Sequence, residues 1–302
     1  MFKKISPWIK AARLRTIPLS VSGILIGSFA TYPKDLFNIF IFLLAICTTI
    51  SYQVLSNFAN DFGDGIRGTD KNRIGPERIL QSGLISRMQM KLGIKIAAFI
   101  SFVFTVTLII VSFKNEFLNI LTFLFLGILA IFSAIKYTMG KNAYGYFGFG
   151  DFFVFIFFGI VSVLGSNYLF NSELSLDLLL PSLTIGCLSV GVLNLNNMRD
   201  LENDKKSKKN TIAVKLGPDK ARIYHYFLIC ISMINVLIFH FKTETSSYFH
   251  HFFVIAIIII LIYHIFQVYT VSELKGFDKL LKPLVLTTFF YSIITSLNYI
   301  FN

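Results

Sequence analysis

Long apolar runs alternate with short polar segments along almost the whole chain. Nine of these runs are close to the ~20 residues that a helix needs to cross hydrocarbon. They lie at 17–32, 36–60, 92–113, 118–137, 147–170, 176–197, 223–241, 249–271 and 283–301. The pattern predicts an all-α, polytopic membrane protein with nine transmembrane helices, in which residues 1–302 form one domain embedded in the lipid bilayer.

Residues 1–15 precede the first run and follow a different pattern. Phe2, Ile5, Ile9 and Ala12 recur at spacings of three and four, and lysines and arginines fill positions between them. A helix with this pattern has one apolar and one basic side, which suits the surface of an anionic leaflet. We therefore predict a short interfacial amphipathic segment.

Composition and charge support this interpretation. The chain is 55% hydrophobic with a mean hydropathy of +0.68, whereas soluble domains have about 45–50% apolar residues. If the N-terminus is cytoplasmic, all of the 28 Lys and Arg residues except Lys34, Lys114 and Lys242 fall in cytoplasmic segments. The positive-inside rule thus predicts a multi-pass protein of the cell (inner) membrane with a cytoplasmic N-terminus. Because the net charge of +12 is confined to these loops, we do not expect a nucleic-acid partner.

A first polar motif follows the second apolar run, in QVLSNFANDFGDGIRGTDKNRIGPERILQSGLI. Asn57, Asn60, Asp61 and Asp64 are three or four positions apart, so a helix that continues here carries their oxygen atoms on one side. Carboxylates at the cytoplasmic end of a membrane helix favour a site for a divalent metal ion.

Glycines and arginines come next in this motif. We expect Gly63, Gly65 and Gly68 to end the helix and to let the backbone approach a ligand. Arg73 and Arg78 follow, and their guanidinium groups suit phosphate or carboxylate oxygens.

A second motif, LNLNNMRDLENDKKSKKNTIAVKLG, has the same organisation. Asn196, Asp200 and Asp204 are four positions apart, Arg199 lies among them, and several lysines follow. Magnesium commonly bridges one or two carboxylates to substrate phosphates. A diphosphate bound this way is a good leaving group, and a helical bundle can hold the apolar fragment away from water.

Three segments resemble the UbiA superfamily of intramembrane aromatic prenyltransferases. They are the two motifs above and the loop KYTMGKNAYGYFGFGD with the apolar run after it. The N-D-x-x-D element of the superfamily matches Asn60, Asp61 and Asp64, and its D-x-x-x-D element matches Asp200 and Asp204. The chain departs from many relatives at Gly68, where they carry a further aspartate and this chain has Asp70 instead.

The R-x-G-P-x-R element at Arg73, Gly75, Pro76 and Arg78 is similar to the branch that prenylates 1,4-dihydroxy-2-naphthoate in menaquinone synthesis. The resemblance implies a bundle around a central cavity that binds polyprenyl diphosphate through Mg²⁺. It also implies transfer of the polyprenyl group to this aromatic acid with loss of diphosphate and carbon dioxide. The distribution of basic residues predicts that both motifs, and with them the active site, face the cytoplasm.

These expectations assign roles to particular side chains. The predicted catalytic and metal-binding residues are Asp61, Asp64, Asp200 and Asp204. The predicted substrate-binding residues are Asn57, Asn60, Arg73, Arg78, Lys136, Lys141, Tyr144, Asn196 and Arg199.

Three alternatives remain at this point. One is a prenyltransferase of the same superfamily that uses a different aromatic acceptor. The second is a CDP-alcohol phosphotransferase, because Asp61, Asp64 and Gly65 match the start of its acidic motif, although its continuation is missing here. The third is a cation-coupled transporter, whose acids usually lie near mid-membrane rather than among basic residues at helix ends.

Overall fold

The computed structural model describes residues 2–69, 78–243 and 248–301, and it describes side chains from residue 6 onward and, in the last stretch, from residue 250. These residues form helices and connecting turns without any strand. Nine helical stretches among them are long and apolar enough to cross a membrane, which confirms the predicted number. The α-helices are α1 (Phe2–Ala12), α2 (Ile17–Phe29), α3 (Ile39–Arg67), α4 (Arg87–Phe113), α5 (Phe117–Lys136), α6 (Gly150–Val154), α7 (Ser166–Asn171), α8 (Leu179–Arg199), α9 (Leu201–Lys206), α10 (Ile212–Leu216), α11 (Pro218–Lys242), α12 (Tyr248–Thr270) and α13 (Asp278–Phe301).

The helix α8 lies at the centre of the bundle. It packs against α11, α13 and the span formed by α6 and α7, and its side chains are mostly buried. By contrast, only two residues of α5 are buried, and this helix packs against α3 and α4. The apolar side chains that α5 presents outward are compatible with contact to lipid.

The fifth span contains a π-helix. Phe155–Gly165 connects α6 to α7 without a break, and it packs against both α2 and α8. The close approach to α8 requires Gly159, because a Cβ atom there would lie 2.7 Å from the Cα atom of Gly186. A π-helix is uncommon and is often found at functional sites, and this one forms part of the cavity wall described below.

The end of α3 differs from the prediction that Gly63 and Gly65 break the helix. The helix continues through both residues and ends at Gly68, which has the left-handed φ of 75°. The reason for Gly63 is close packing, since a Cβ atom at this position would lie 2.6 Å from the carbonyl oxygen of Thr138. This contact brings the turn after α5 against the first motif.

The N-terminal segment forms the helix α1 as the amphipathic pattern predicts. Ala11 and Ala12 are buried, and the Trp8 ring packs edge-on against Phe58 of α3 at 5.3 Å. The location of α1 at the membrane surface stays a prediction. In the last span, α13 begins at Asp278, earlier than the apolar run predicted, and includes Pro283.

Candidate active site

Asp64 is the carboxylate on which several loops converge. It is 3% exposed, and the hydroxyl group of Tyr146 donates a hydrogen bond of 2.8 Å to its Oδ1 atom. Its Oδ2 atom lies 3.7 Å from Nη2 of Arg78 and 3.6 Å from Nζ of Lys209. The end of α3, the loop after α5 and the segment after α9 therefore meet at one buried charge.

Lys209 connects the two motifs. Its Nζ atom lies 3.8 Å from Oδ1 of Asp204 as well as 3.6 Å from Asp64, and only 8% of the residue is exposed. Burial alone lowers the pKa of this ammonium group, but the Asp64 and Asp204 carboxylates more than offset that effect and leave the pKa above its ordinary value. Lys209 is therefore positively charged at neutral pH.

Tyr146 links Asp64 to the residues that end α3. Its hydroxyl oxygen is 2.8 Å from Oγ1 of Thr69, and the Arg67 guanidinium lies 3.9 Å above its ring. Burial, and after it the Asp64 carboxylate, raises the pKa of the Tyr146 hydroxyl well above its usual range, so the hydroxyl stays protonated. Because its one hydrogen goes to Asp64, Thr69 donates to Tyr146.

The second motif is organised around a different cation. Arg199 is fully buried, and its Nε and Nη2 atoms donate to the two carboxylate oxygens of Asp200 at 2.8 and 2.7 Å. The same guanidinium donates to Asn196 at 2.7 Å and to Asp278 at 2.5 Å. Arg199 thus joins the end of α8 to the start of α13.

Asp61 is the other aspartate of the N-D-x-x-D element. It is 1% exposed, and its Oδ2 atom accepts a hydrogen bond of 3.4 Å from the backbone N–H of Leu80. This contact fixes the segment after residue 78 against α3. Asp61 and Asp64 are three positions apart on the helix and therefore lie on the same side.

A cavity of about 330 Å³ begins beside this cluster. Its polar end is lined by Asn57, Asn60, Tyr137 and Tyr144. Its opposite end is lined by Ile24, Leu108, Phe123 and Leu169. The cavity follows α3 from Asn60 to Ala45, a distance of ~22 Å at the helical rise per residue. Most of its wall is apolar, including side chains of the π-helix.

Tyr137 adjoins both the cavity and the charged cluster. It lines the cavity, and Lys209, Asp64 and Asp204 all contribute to the electrostatic environment of its hydroxyl group. Burial raises the pKa of this hydroxyl to about 12. Tyr137 therefore lies at the polar end of the cavity and near the residues that hold the charges.

Three other predicted binding residues make hydrogen bonds within the protein. Asn57 donates to the carbonyl oxygen of Ala12 at 2.8 Å, and Asn60 accepts from Thr138 at 3.3 Å. Tyr144 donates to the carbonyl oxygen of Ser133 at 2.9 Å.

Two of the predicted lysines lie nearer the surface. Lys136 is half-buried with its Nζ atom 5.7 Å from the centre of the Phe132 ring, and Lys141 is exposed. Arg73 lies outside the described residues, as does Asp70. No contact tests the roles of the predicted site residues, which stay predictions.

Tyr146, Thr69, Asp278 and Lys209 belong to the cluster but were not assigned by sequence. Tyr146, Thr69 and Lys209 do lie within the segments that the motifs indicate. The sequence offered no reason to prefer Lys209 over the lysines at 205, 206 and 208, because all four follow the same acids.

Mg²⁺ prefers oxygen ligands, which the carboxylates of the two motifs supply. In the part of the chain that the structure describes, no three His, Cys, Asp or Glu side chains converge as a metal site on their own. Mg²⁺ needs fewer protein ligands, since it commonly uses one or two carboxylates together with water and substrate phosphates. Asp64 and Asp204 already share one cationic group, Lys209, so the space between them suits a positive charge. The donors therefore fit Mg²⁺ together with a phosphorylated ligand.

The fold and the site together define a class of protein. A bundle of membrane-length helices contains an apolar cavity, and buried carboxylates and cations lie at one end of it. This arrangement is that of an intramembrane enzyme for a substrate with an anionic head and an apolar tail. The chain belongs to the UbiA prenyltransferase family, which it matches over residues 20–293.

Two similar proteins have the same description, 1,4-dihydroxy-2-naphthoate octaprenyltransferase. The protein from Haemophilus influenzae is 42% identical over 248 residues, which cover 81% of this chain and 80% of that protein. The protein from Escherichia coli is 38% identical over 239 residues, which cover 77% of each.

Solved structures of UbiA homologues have the same fold. The homologue from Archaeoglobus fulgidus bound to GPP and Mg²⁺ gives a TM-score of 0.69 at 14% identity, with 97% of this chain and 99% of that chain covered. The apo homologue from Aeropyrum pernix K1 gives 0.68 at 15% identity, with 95% and 97% covered. The predicted family and the predicted all-helical fold are confirmed.

Proposed function

We propose that this protein transfers a polyprenyl group from polyprenyl diphosphate to 1,4-dihydroxy-2-naphthoate, with release of diphosphate and carbon dioxide, in menaquinone biosynthesis. The observation that carries the reaction type is the apolar cavity whose polar end adjoins the Asp64, Lys209 and Asp204 cluster. The choice of acceptor is supported by the similarity of 38–42% to proteins described by that activity.

The charged cluster suits the departure of diphosphate. The bond between the allylic carbon and oxygen breaks, and its electron pair leaves on the diphosphate. Arg78 and Lys209 supply positive charge where that negative charge develops. Mg²⁺, which Asp61, Asp64, Asp200 and Asp204 would hold, neutralises further diphosphate charge when it is bound.

The cavity suits the apolar part of the substrate. Its wall keeps water away from the allylic carbon. Water would otherwise capture the cationic fragment. The stacked rings of Tyr144 and Phe153, 4.1 Å apart, line the polar end together with Tyr137. The faces of aromatic rings stabilise a nearby positive charge.

The acceptor reacts through a ring carbon, which forms a bond to the allylic carbon. Loss of the carboxyl group as carbon dioxide returns an electron pair to the ring and restores its aromatic character. The carboxylate needs a cation that orients it, and Arg73, Arg78, Lys136 and Lys141 are our candidates. A planar guanidinium group holds a carboxylate in a defined orientation more effectively than an ammonium group does.

Acceptor choice gives a direct test of this proposal. The purified protein with Mg²⁺ and a polyprenyl diphosphate should convert 1,4-dihydroxy-2-naphthoate to a prenylated product without a carboxyl group. It should use 4-hydroxybenzoate far more slowly, because the relatives at 38–42% identity are described by the naphthoate activity. Product mass and released carbon dioxide, measured for each acceptor, check both expectations.

The benzoate reaction is the matched control for that experiment. A prenylated benzoate that keeps its carboxyl group, formed as fast as the naphthoate product, would assign the protein to a different acceptor. Absence of any prenyl transfer, with diphosphate substrate and metal present, would contradict prenyl transfer itself.

We further propose that the charged cluster faces the cytoplasm, in the cell membrane. The exposed residues Glu173 and Lys206 lie before and after α8, which is long enough to span the membrane, so they belong on opposite sides. In a variant without the native cysteines, Lys206→Cys should react with a membrane-impermeant thiol reagent only after the cell membrane is permeabilised. Glu173→Cys should react in intact cells, and labelling of both positions from one side would contradict this topology.

A further inference from the structure

The backbone after α9 turns the Lys209 side chain back into the protein. Lys208 adopts the left-handed φ of 57°, and the backbone N–H of Lys209 donates to the carbonyl oxygen of Asp204 at 2.8 Å. The next residue, Asn210, donates from its backbone to the carbonyl oxygen of Tyr146 at 3.0 Å. The position of Lys209 is thus fixed by backbone contacts on both sides.

The ammonium group is shared between acids that come from different parts of the chain. Its Nζ atom is 3.6 Å from Asp64 and 3.8 Å from Asp204, which are 3% and 2% exposed. Two buried carboxylates this close to one point repel each other strongly when no cation lies between them. Lys209 therefore stabilises the approach of the first motif to the second.

We propose that Lys209 is a built-in counter-cation that holds Asp64 and Asp204 together before substrate arrives and competes with the divalent metal ion for these two carboxylates. This inference rests on the proposed function, because it assumes that the two acids also bind the metal. It adds that metal binding requires Lys209 to leave them.

The competition makes binding of metal and diphosphate interdependent. A metal ion that arrives alone displaces the ammonium group and leaves it buried without a carboxylate. A metal ion that arrives with diphosphate provides the displaced ammonium group with a new anionic partner. The two ligands then favour each other's binding, which is positive coupling in the thermodynamic sense.

A lysine is suited to this role. Its ammonium group is a compact charge on a flexible chain, and it can change partners by rotation of that chain. An arginine in the same place would hold a carboxylate through two parallel hydrogen bonds, as Arg199 holds Asp200. The second motif thus contains one cation suited to stay in place, Arg199, and one suited to change partners, Lys209.

The test measures metal binding without turnover. Mn²⁺ replaces Mg²⁺, and its dissociation constant is determined by electron paramagnetic resonance on purified wild-type protein and Lys209→Met, in the absence of any diphosphate. Removal of the competing charge should lower the dissociation constant at least about tenfold. Lys206→Met is the matched control, because it removes an exposed lysine from the same segment, and its constant should equal that of the wild type.

Each outcome decides the proposal. An unchanged constant in Lys209→Met would overturn the competition, and a weaker one would mean that Lys209 organises the metal site instead. Lys209→Gln, whose amide still donates to a carboxylate, replaces the methionine variant if that variant does not fold, with the same expectation. Prenyl transfer by the wild-type protein is assayed separately, so failure of the proposed function is distinguishable from failure of this inference.

Discussion

Replacement of Asp64 by asparagine should lower kcat/KM at least about a hundredfold while the protein still inserts and folds. The asparagine side chain has the same size and still accepts the hydrogen bond from Tyr146. It lacks the negative charge that faces Arg78 and Lys209 and that would bind the metal ion. The lost stabilisation of the transition state corresponds to ~3 kcal/mol or more. Steady-state assays at saturating Mg²⁺ check this, and Asp204→Asn should have an effect of similar size.

The control for these variants is Asp219→Asn. Asp219 is an exposed carboxylate in the first turn of α11, so its loss changes net charge by the same amount outside the cluster. The activity of the Asp219→Asn variant should match that of the wild-type protein. Activity close to wild type in both Asp64→Asn and Asp204→Asn would exclude the proposed mechanism of diphosphate departure.

Replacement of Arg199 by methionine should be among the most destabilising single changes in the chain. The guanidinium group is fully buried and binds Asp200, Asp278 and Asn196 at once. Methionine fills a similar volume but leaves the buried Asp200 carboxylate without this cation. Removal of one partner of a buried ion pair typically costs about 3–5 kcal/mol. Thermal unfolding of the two proteins in the same detergent measures the difference.

Two further variants show whether the loss of stability comes from the buried charge of Asp200 or from the loss of any arginine. Arg87→Met removes an exposed arginine at the start of α4 and should leave the melting temperature unchanged. Asp278→Asn should destabilise less than Arg199→Met, because the Asp278 side chain is 41% exposed and water can solvate it. Equal melting temperatures for Arg199→Met and the wild type would contradict a structural role for Arg199.

The fold was largely predictable because it depends on patterns that are local in the chain. Apolar runs of membrane length predict spans one by one. Helical spacing also predicted that Asp61 and Asp64 share one side if the helix continues, and α3 does continue through both residues to Arg67. The prediction that Gly63 breaks the helix was wrong because it used the local sequence alone. A glycine is needed there because Thr138, a residue on another part of the chain, packs against it. A local pattern contains no information about such a contact.

The partners of the charged groups were less predictable for a related reason. Arg199 lies three positions after Asn196 and directly before Asp200. This position in the sequence is equally compatible with binding a substrate and with neutralising Asp200. The structure places it against Asp200 and Asp278. Likewise, Lys209 differs from its neighbouring lysines through the left-handed turn at Lys208, which nothing in the lysine-rich segment indicates.

The pairing of Asp64 with Lys209 also has a consequence for biogenesis. The ribosome completes α3 first, and at about 5–20 residues per second the lysine emerges roughly 7–30 s later. During that interval the inserted N-terminal helices have Asp64 in place without one of its mature counter-ions. The early helices therefore cannot settle into their final packing around this acid on their own. A fragment that ends before α8 should be a poor folding unit in the membrane and a target for quality-control proteolysis.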